Sequence, residues 1–223
     1  MMTMRTYCDG CAAAHALDLI GERWALLVVR ELLLGPKRFT DLRAGLPGAS
    51  PNVLAQRLRE LEQAGVVRRR KLPPPAASRV YELTDWGEEL EPLITQLGRW
   101  GARSPSRPRD AALGVDSLIL SFRTMFDPRA AEGLRASYEL HLGEDAFLVV
   151  VADGRFEIVR GEAERPDATI ETDPATLAAL VYEGRPLAET MRSGDLKIEG
   201  DESAVERFLT LFPLPEPAAI VEA

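Results

Sequence analysis

Hydrophobic and polar residues follow two different periods along this chain of 223 residues. Between residues 12 and 63 most apolar residues recur every three or four positions, which is the period of an amphipathic helix. After residue 66 and again after residue 136 they recur with the shorter runs typical of β-strands. The pattern predicts an α+β protein, with helices and a β-hairpin in the first half and a sheet with helices in the second.

Two short helices with clear start signals follow each other in the first half. Thr40 is predicted to N-cap a helix that runs to Leu46, after which a Pro-Gly pair breaks the chain. Ser50 followed by Pro51 predicts a second helix, because a hydroxyl caps the first amides and proline suits the first helical position. Gly65 ends this helix, so the sequence predicts a helix-turn-helix.

The second helix of the pair has one apolar and one polar face. The apolar face consists of Leu54, Leu58 and Leu61. The remaining surface carries amides and guanidiniums, which suit the hydrogen-bonding edges of bases in a major groove. These outward residues are Asn52, Gln56, Arg59 and Gln63, with Val53 and Arg57 on the flanks.

A predicted β-hairpin follows this helix directly, with strands at 66–72 and 79–84 and a proline-rich loop between them. A hairpin in this position is the wing of a winged helix. Its cations can lie along DNA phosphates and give salt-sensitive, sequence-independent affinity. They are Arg68, Arg69, Arg70, Lys71 and Arg79. Two capped helices alone are common in any helical domain, and the hairpin is what favours DNA binding.

The charge is divided unevenly along the chain. Residues 1–109 hold 17 Lys+Arg against 12 Asp+Glu, a balance of +5, and residues 110–223 hold 10 against 23, a balance of −13. The basic half suits a polyanionic partner, whereas the acidic half would be repelled by one.

Two further helical stretches flank the predicted winged helix. Residues 12–34 are predicted to be helical with an interruption at Gly21. Their predicted inward face comprises Leu17, Ile20, Trp24, Leu27 and Val28. Thr84 is predicted to cap a helix through Trp100 with one apolar side, and an apolar side without a predicted cover favours a homodimer. That side comprises Leu90, Leu93, Ile94, Leu97 and Trp100.

A linker rich in Ser, Pro and Arg is predicted at 103–114, between domains at 8–102 and 115–213. In the second domain, strands are predicted at 136–142, 146–152, 155–160, 168–172 and 196–199. Helices are predicted at 115–126, 173–182, 186–192 and 201–212, with a short one starting at Pro128.

The first half resembles the HxlR family of winged-helix transcriptional regulators over residues 8–101. An N-terminal cysteine, Gly-Glu-Arg-Trp, Gly-Pro-Lys-Arg-Phe, the recognition helix and Tyr-Glu-Leu-Thr stand in family order. The resemblance implies dimeric binding to double-stranded DNA. The residues implied to lie near base edges are Asn52, Val53, Gln56 and Arg57, and those near phosphates are Arg38 and the wing arginines. Thr40 and Ser50, at the starts of the two helices, and Arg59 complete the predicted DNA-binding set.

The second half resembles a sterol carrier protein type-2 domain over residues 115–212. The resemblance rests on a hairpin, a Thr-Asp-Pro helix and the segment Ser-Gly-Asp-Leu-Lys-Ile-Glu-Gly-Asp within residues 149–201. It implies a sheet covered by helices, often with an apolar tunnel for lipids. The residues that would line such a tunnel, or else simply pack the core, are Phe122, Met125, Phe126, Leu187, Met191, Phe208 and Phe212.

The only two cysteines, Cys8 and Cys11, form a C-x-x-C pair and offer no disulfide framework. Some members of the HxlR family sense oxidants through a cysteine that aligns with Cys11, so a redox switch and two incidental thiols are the alternatives. With His15 as a third ligand and no fourth, no metal site is predicted.

The residue inventory argues against an enzyme and against a cofactor. His15 and His141 are the only histidines, and the chain contains neither a Gly-rich phosphate loop nor a nucleophile-elbow serine. It has no run of about twenty apolar residues and no cleavable-signal pattern, so a cytoplasmic protein without membrane contact is expected.

Together the patterns predict a homodimeric, sequence-specific DNA-binding transcriptional regulator whose second domain binds an apolar small-molecule effector. The alternative is a lipid-binding or carrier protein in which the winged helix serves for dimerisation or protein contacts. DNA affinity that falls steeply with ionic strength would distinguish the regulator from the carrier.

Overall fold

The computed structural model describes residues 6–74, 77–108 and 113–219. The helices are α1 (Ala12–Ile20), α2 (Ala25–Leu32), α3 (Phe39–Gly45), α4 (Pro51–Gln63), α5 (Asp85–Glu88), α6 (Glu91–Ala102), α7 (Val115–Met125), α8 (Pro174–Tyr182), α9 (Leu187–Ser193) and α10 (Glu202–Leu209). The strands are β1 (Val67–Lys71), β2 (Arg79–Leu83), β3 (Ala136–Leu142), β4 (Asp145–Ala152), β5 (Arg155–Arg160), β6 (Ala168–Thr172) and β7 (Leu196–Gly200).

The chain divides into two compact units, and the boundary along the sequence lies between Ile94 and Thr95, within α6. The predicted linker at 103–114 lies beyond that point, and its residues 109–112 lie outside the described residues. The predicted domain boundaries therefore stay a prediction.

The first unit is a helix-turn-helix with a two-stranded hairpin. Strands β1 and β2 pair in antiparallel register, with Val67 opposite Leu83 and Lys71 opposite Arg79. A third backbone segment joins them, because Lys37 exchanges two hydrogen bonds with Tyr81 at 2.9 and 2.8 Å. The core between helices and hairpin is built from aliphatic side chains of α2, α3, α4 and β1.

The start of α3 differs from the prediction. The helix begins one residue earlier than Thr40, with Arg38 at the N-cap, so the prediction that Thr40 caps it is wrong. The carboxylate of Asp41 accepts a hydrogen bond from the Arg38 amide at 3.1 Å, and Thr40 donates to Asp41 at 3.0 Å. A carboxylate at the third helical position accepts the hydrogen bond of a free amide and is stabilised by the positive end of the helix dipole. Asp41 therefore takes the capping role that was predicted for Thr40.

The joint between α1 and α2 changes which residues face the core. Trp24 adopts a left-handed backbone with φ +78°, which resets the helical phase. Ile20 and Val28 are buried as predicted, but Leu17 and Leu27 are exposed. The prediction that these two leucines face the core is wrong, because α1 and α2 do not continue one helical period across the joint at Trp24.

Thr84 caps a helix as predicted, but the helix is short. Its hydroxyl accepts from the Gly87 amide at 3.0 Å and donates to the Gly65 carbonyl at 2.7 Å. The predicted single helix to Trp100 is divided into α5 and α6. Pro92 explains the break, because a proline ring clashes with the carbonyl four residues earlier.

The second unit is a five-stranded mixed sheet with helices. Its strand order is β5-β4-β3-β6-β7, with β3 and β6 parallel and the other neighbours antiparallel. Asp173 caps α8 as predicted, accepting from the Ala175 and Thr176 amides at 2.8 and 2.9 Å. The helix predicted from Pro128 is wrong, since 128–133 are turns. Gly133 closes them with φ +71°, a conformation that ends a helix.

Among the described residues no helix is long and apolar enough to cross a membrane.

Candidate nucleic-acid interface

Helix α4 is fixed by its cap and by its apolar face. The Ser50 hydroxyl accepts from the Val53 amide at 3.4 Å, and Pro51 occupies the first turn. Leu54, Leu58 and Leu61 are completely buried. Because this face is anchored in the core, the opposite face of α4 is held towards solvent.

Most residues predicted to approach base edges lie on that outward face. Asn52, Val53 and Arg59 are exposed, as is Gln63 at the other end of the helix. Gln56 is half-buried and donates to the Glu60 carboxylate at 2.7 Å. The start of α4 therefore presents an amide, a small apolar side chain and, one to two turns later, a guanidinium.

Arg57 does not extend from this surface. Its side chain is only 14% exposed, and it forms ion pairs with Glu60 and, at 3.5 Å, with Glu22 in the α1–α2 joint. The guanidinium is thus committed to contacts within the unit. That Arg57 lies near base edges stays a prediction.

The hairpin arginines are exposed and paired with carboxylates. Arg68 Nε and Arg70 Nε donate to the two oxygens of Glu82 at 2.8 and 2.7 Å. Burial alone would raise the pKa of Glu82, but the hydrogen bonds from Arg68 and Arg70 bring it below its usual value. The same carboxylate raises the pKa of Arg68, so both partners stay charged.

Arg69 projects from the other face of β1. It donates to Glu62 of α4 at 2.7 Å, and its guanidinium lies 5.2 Å from the centre of the Tyr81 ring. This contact ties the hairpin to the last turn of the recognition helix.

The remaining predicted phosphate contacts are exposed. Lys71, Arg79 and Arg59 have no ion pair with any residue that the structure describes. Arg38 is also exposed, and its Nε donates to the Ser78 hydroxyl at 3.1 Å, which links the start of α3 to the hairpin. Thr40 and Ser50 are exposed at the starts of α3 and α4.

Sequence reasoning missed the carboxylates that organise this surface. Glu82 faces Arg68 across the hairpin, and Glu31, which is buried, binds Arg30 and Lys37 at 2.8 and 2.7 Å. The signal for Glu82 was present, because the hairpin register places the fourth residue of β2 opposite Arg68. The signal for Glu31 was weaker, because Lys37, one of its two partners, lies beyond the end of α2.

Both cysteines are free and exposed. Hydrogen bonds from the Ala14 and Ala13 amides, at the start of α1, lower the pKa of Cys11. The described residues contain no group of three or more His, Cys, Asp or Glu side chains arranged to hold a metal ion.

The four phenylalanines predicted to line a lipid tunnel pack against one another. Phe122 stacks on Phe212 with ring centres 4.6 Å apart, and Phe208 meets both rings edge-on at 5.8 and 5.1 Å. Phe122, Met125, Phe208 and Phe212 are buried, and Phe126, Leu187 and Met191 are half-buried. Two cavities, of about 420 and 340 Å³, are lined by none of these seven residues. In this conformation the aromatic side chains form a filled core.

Comparisons with known proteins bear on both halves. Residues 19–108 match the family model described as HxlR-like helix-turn-helix. The uncharacterized HTH-type transcriptional regulator YvaP of Bacillus subtilis is 41% identical over 85 residues, which are 38% of this chain and 79% of that protein. Residues 111–222 match the family model described as alkyl sulfatase C-terminal.

The chain belongs to the HxlR-like helix-turn-helix family, and its second half to the alkyl sulfatase C-terminal family. Another HxlR-like relative, the HTH-type transcriptional regulator YodB of Bacillus subtilis, is 38% identical over 38% of this chain and 76% of its own. A solved structure of reduced YodB is 33% identical, covers 44% of this chain and 97% of that chain, and has a TM-score of 0.39.

The HxlR-like match agrees with the predicted family of the first half. The second match names an alkyl sulfatase C-terminal domain. The sterol carrier type of this domain therefore stays a prediction.

Proposed function

We propose that this protein is a homodimeric, sequence-specific DNA-binding transcriptional regulator. The observation that carries the proposal is the exposed start of α4, with Asn52 and Val53, in the same compact unit as Lys71 and Arg79, which are exposed and form no ion pair with a described residue. Helix α4 reads base edges in a major groove, since an asparagine amide can bind adenine through two hydrogen bonds. Family membership supports this assignment.

Phosphate contacts come from the hairpin and from the starts of the two helices. Arg38, Arg68, Arg70, Lys71 and Arg79 are all exposed and supply affinity that does not depend on sequence. Arg69 contributes charge from the other face of the hairpin, and the exposed Ser50 hydroxyl can donate to a phosphate at the start of α4. Thr40 at the start of α3 donates to Asp41 and would exchange that hydrogen bond for one to a phosphate.

Dimerisation is proposed through α6. Leu93, Leu97 and Trp100 share one side of this helix at spacings of four and three residues, and their exposures are 49%, 49% and 73%. Three large apolar side chains on one helix face are unusual for a monomer surface, and a second copy would bury them.

The second unit is proposed to be a sterol-carrier-like effector module. An apolar ligand that binds there must separate rings such as Phe122 and Phe212, which stack at 4.6 Å. It would control DNA binding only through a difference in affinity between two arrangements of the protein. Thermal-shift assays with fatty acyl compounds test this part, and no shift with any of them would leave the module without a ligand role.

The carrier alternative has less support, because the relatives of the first half are HTH-type transcriptional regulators. A redox role is proposed for Cys11, the exposed thiol with the lowered pKa. Replacing both cysteines with serine without any change in oxidant response of DNA binding would remove this role.

The test of the main proposal is a mobility-shift experiment with DNA from upstream of the protein's own coding sequence. The regulator should retard that fragment in the presence of excess unrelated duplex. A carrier protein would retard neither the upstream fragment nor the unrelated duplex.

A further inference from the structure

The two faces of the β1–β2 hairpin differ in what they carry. Val67 and Leu83 belong to the core of the first unit, so their face of the hairpin points inward. Side chains alternate along a strand, which places Arg68, Arg70 and Glu82 on the opposite face, where Val80 and Glu82 are buried and the two arginines are exposed. A carboxylate is therefore enclosed in a surface that otherwise presents cations.

Glu82 joins the two arginines in a defined geometry. It lies directly opposite Arg68 in the strand register and diagonal to Arg70, both within side-chain reach. Each of its oxygens accepts one hydrogen bond, from Arg68 Nε at 2.8 Å and from Arg70 Nε at 2.7 Å. Only Nε is used on each arginine, and the terminal nitrogens make no hydrogen bond to a described residue.

The depth of the three side chains completes the arrangement. Glu82 is 11% exposed, whereas Arg68 and Arg70 are 58% and 49% exposed. The carboxylate lies beneath the two guanidiniums and offsets their mutual repulsion. Their terminal N–H groups face solvent, and a guanidinium binds phosphate best through two such parallel N–H groups.

We propose that Glu82 is a positioning residue for DNA binding, which holds Arg68 and Arg70 side by side and ready for neighbouring phosphates. The inference rests on the proposed DNA-binding function and adds a residue to it. Fixing two flexible side chains in advance reduces the entropy lost on binding. Removing this negative charge therefore weakens DNA binding, although it makes the surface more positive.

The experiment compares Glu82→Gln with Glu89→Gln. Glu89 is exposed, and its side chain has no hydrogen bond or ion pair with a described residue. Each of the two variants removes one negative charge. Because phosphate contacts do not depend on sequence, the probe is a mixed-sequence duplex of about 30 base pairs, followed by fluorescence anisotropy at about 50 to 200 mM salt.

Glu82→Gln should bind several-fold more weakly than the unmodified protein, with a salt slope smaller in magnitude by about one. Glu89→Gln should bind at least as tightly as the unmodified protein, with its slope unchanged. Glu82→Gln binding as tightly as Glu89→Gln would overturn the positioning role. If the unmodified protein binds neither this duplex nor its own upstream DNA at low salt, the proposed function itself fails.

A second variant separates positioning from simple loss of folding. Arg70→Lys keeps the charge but removes the Nε donor to Glu82. It should weaken binding by a similar factor, and the double variant should be no weaker than either single one. Fully additive losses would contradict the role of Glu82. If circular dichroism shows that Glu82→Gln is unfolded at the assay temperature, the test rests on Arg70→Lys alone. In that case, DNA binding by Arg70→Lys as tight as by the unmodified protein overturns the inference.

Discussion

Arg57 of α4 forms an ion pair with Glu22 at 3.5 Å, which fastens the recognition helix to the joint between α1 and α2. The same guanidinium also pairs with Glu60 on its own helix. Since its side chain is 14% exposed, the pair lies at the edge of the core and anchors the helix.

Arg57→Ala should therefore lower the stability of the first unit by about 1 kcal/mol, a value discounted for solvent around Glu22. The sequence preference of DNA binding should remain. Circular dichroism melting and selection from a random pool of duplexes measure the two effects. Unchanged stability with a relaxed preference would instead assign Arg57 to base contacts.

Asn52→Ala should reduce affinity for the selected site by about 1–3 kcal/mol and relax preference at one base pair, because an asparagine amide discriminates adenine. Gln63→Ala is the matched control, since Gln63 is an exposed amide at the far end of α4. If both substitutions changed DNA affinity and base preference equally, the start of α4 would not be the part of the protein that contacts the bases.

Leu97→Lys and Trp100→Ser should shift the protein from dimer to monomer without unfolding it, because both side chains are exposed within one chain. Size-exclusion chromatography with light scattering measures the mass. Gln96→Lys, an exposed polar position on the same helix, should leave the dimer intact. A monomeric unmodified protein at micromolar concentration contradicts the role of α6.

Cys11 should react with iodoacetamide faster than Cys8 near neutral pH. The amides of Ala14 and Ala13 lower the pKa of Cys11, so at a given pH more of this thiol is ionised than of a cysteine with the ordinary pKa. The alkylation rate of Cys11 should therefore rise at a lower pH than that of an ordinary cysteine. Rates for Cys8→Ser and Cys11→Ser variants separate the two thiols. Equal rates at every pH would remove the preference for Cys11.

Local signals allowed several elements to be predicted from the sequence. Ser50 followed by Pro51 and Asp173 followed by Pro174 specify helix starts within four residues, and both caps are present in the structure. The strand runs of the second unit were predictable because alternation and turn residues act over short distances. Strands β3, β5 and β6 have the predicted bounds.

Features that depend on several elements could not be predicted in the same way. Thr40 and Asp41 are both competent caps, and only backbone geometry decides between them. Periodicity places Arg57 on the flank of α4, but it does not show that Glu22, 35 positions earlier, forms an ion pair with it. Periodicity also shows that Phe122 and Phe212 face inward, but not whether the space between them is empty or filled.

The most direct measurement of the central claim is DNA affinity as a function of salt concentration, with a fragment from upstream of the protein's own coding sequence. The six cations proposed to contact phosphates in each protomer predict that the logarithm of the affinity falls with the logarithm of salt concentration with a slope of roughly −5 per protomer. Excess unrelated duplex should not abolish the complex. No retardation of the fragment in dilute buffer, or affinity independent of salt, would contradict the account.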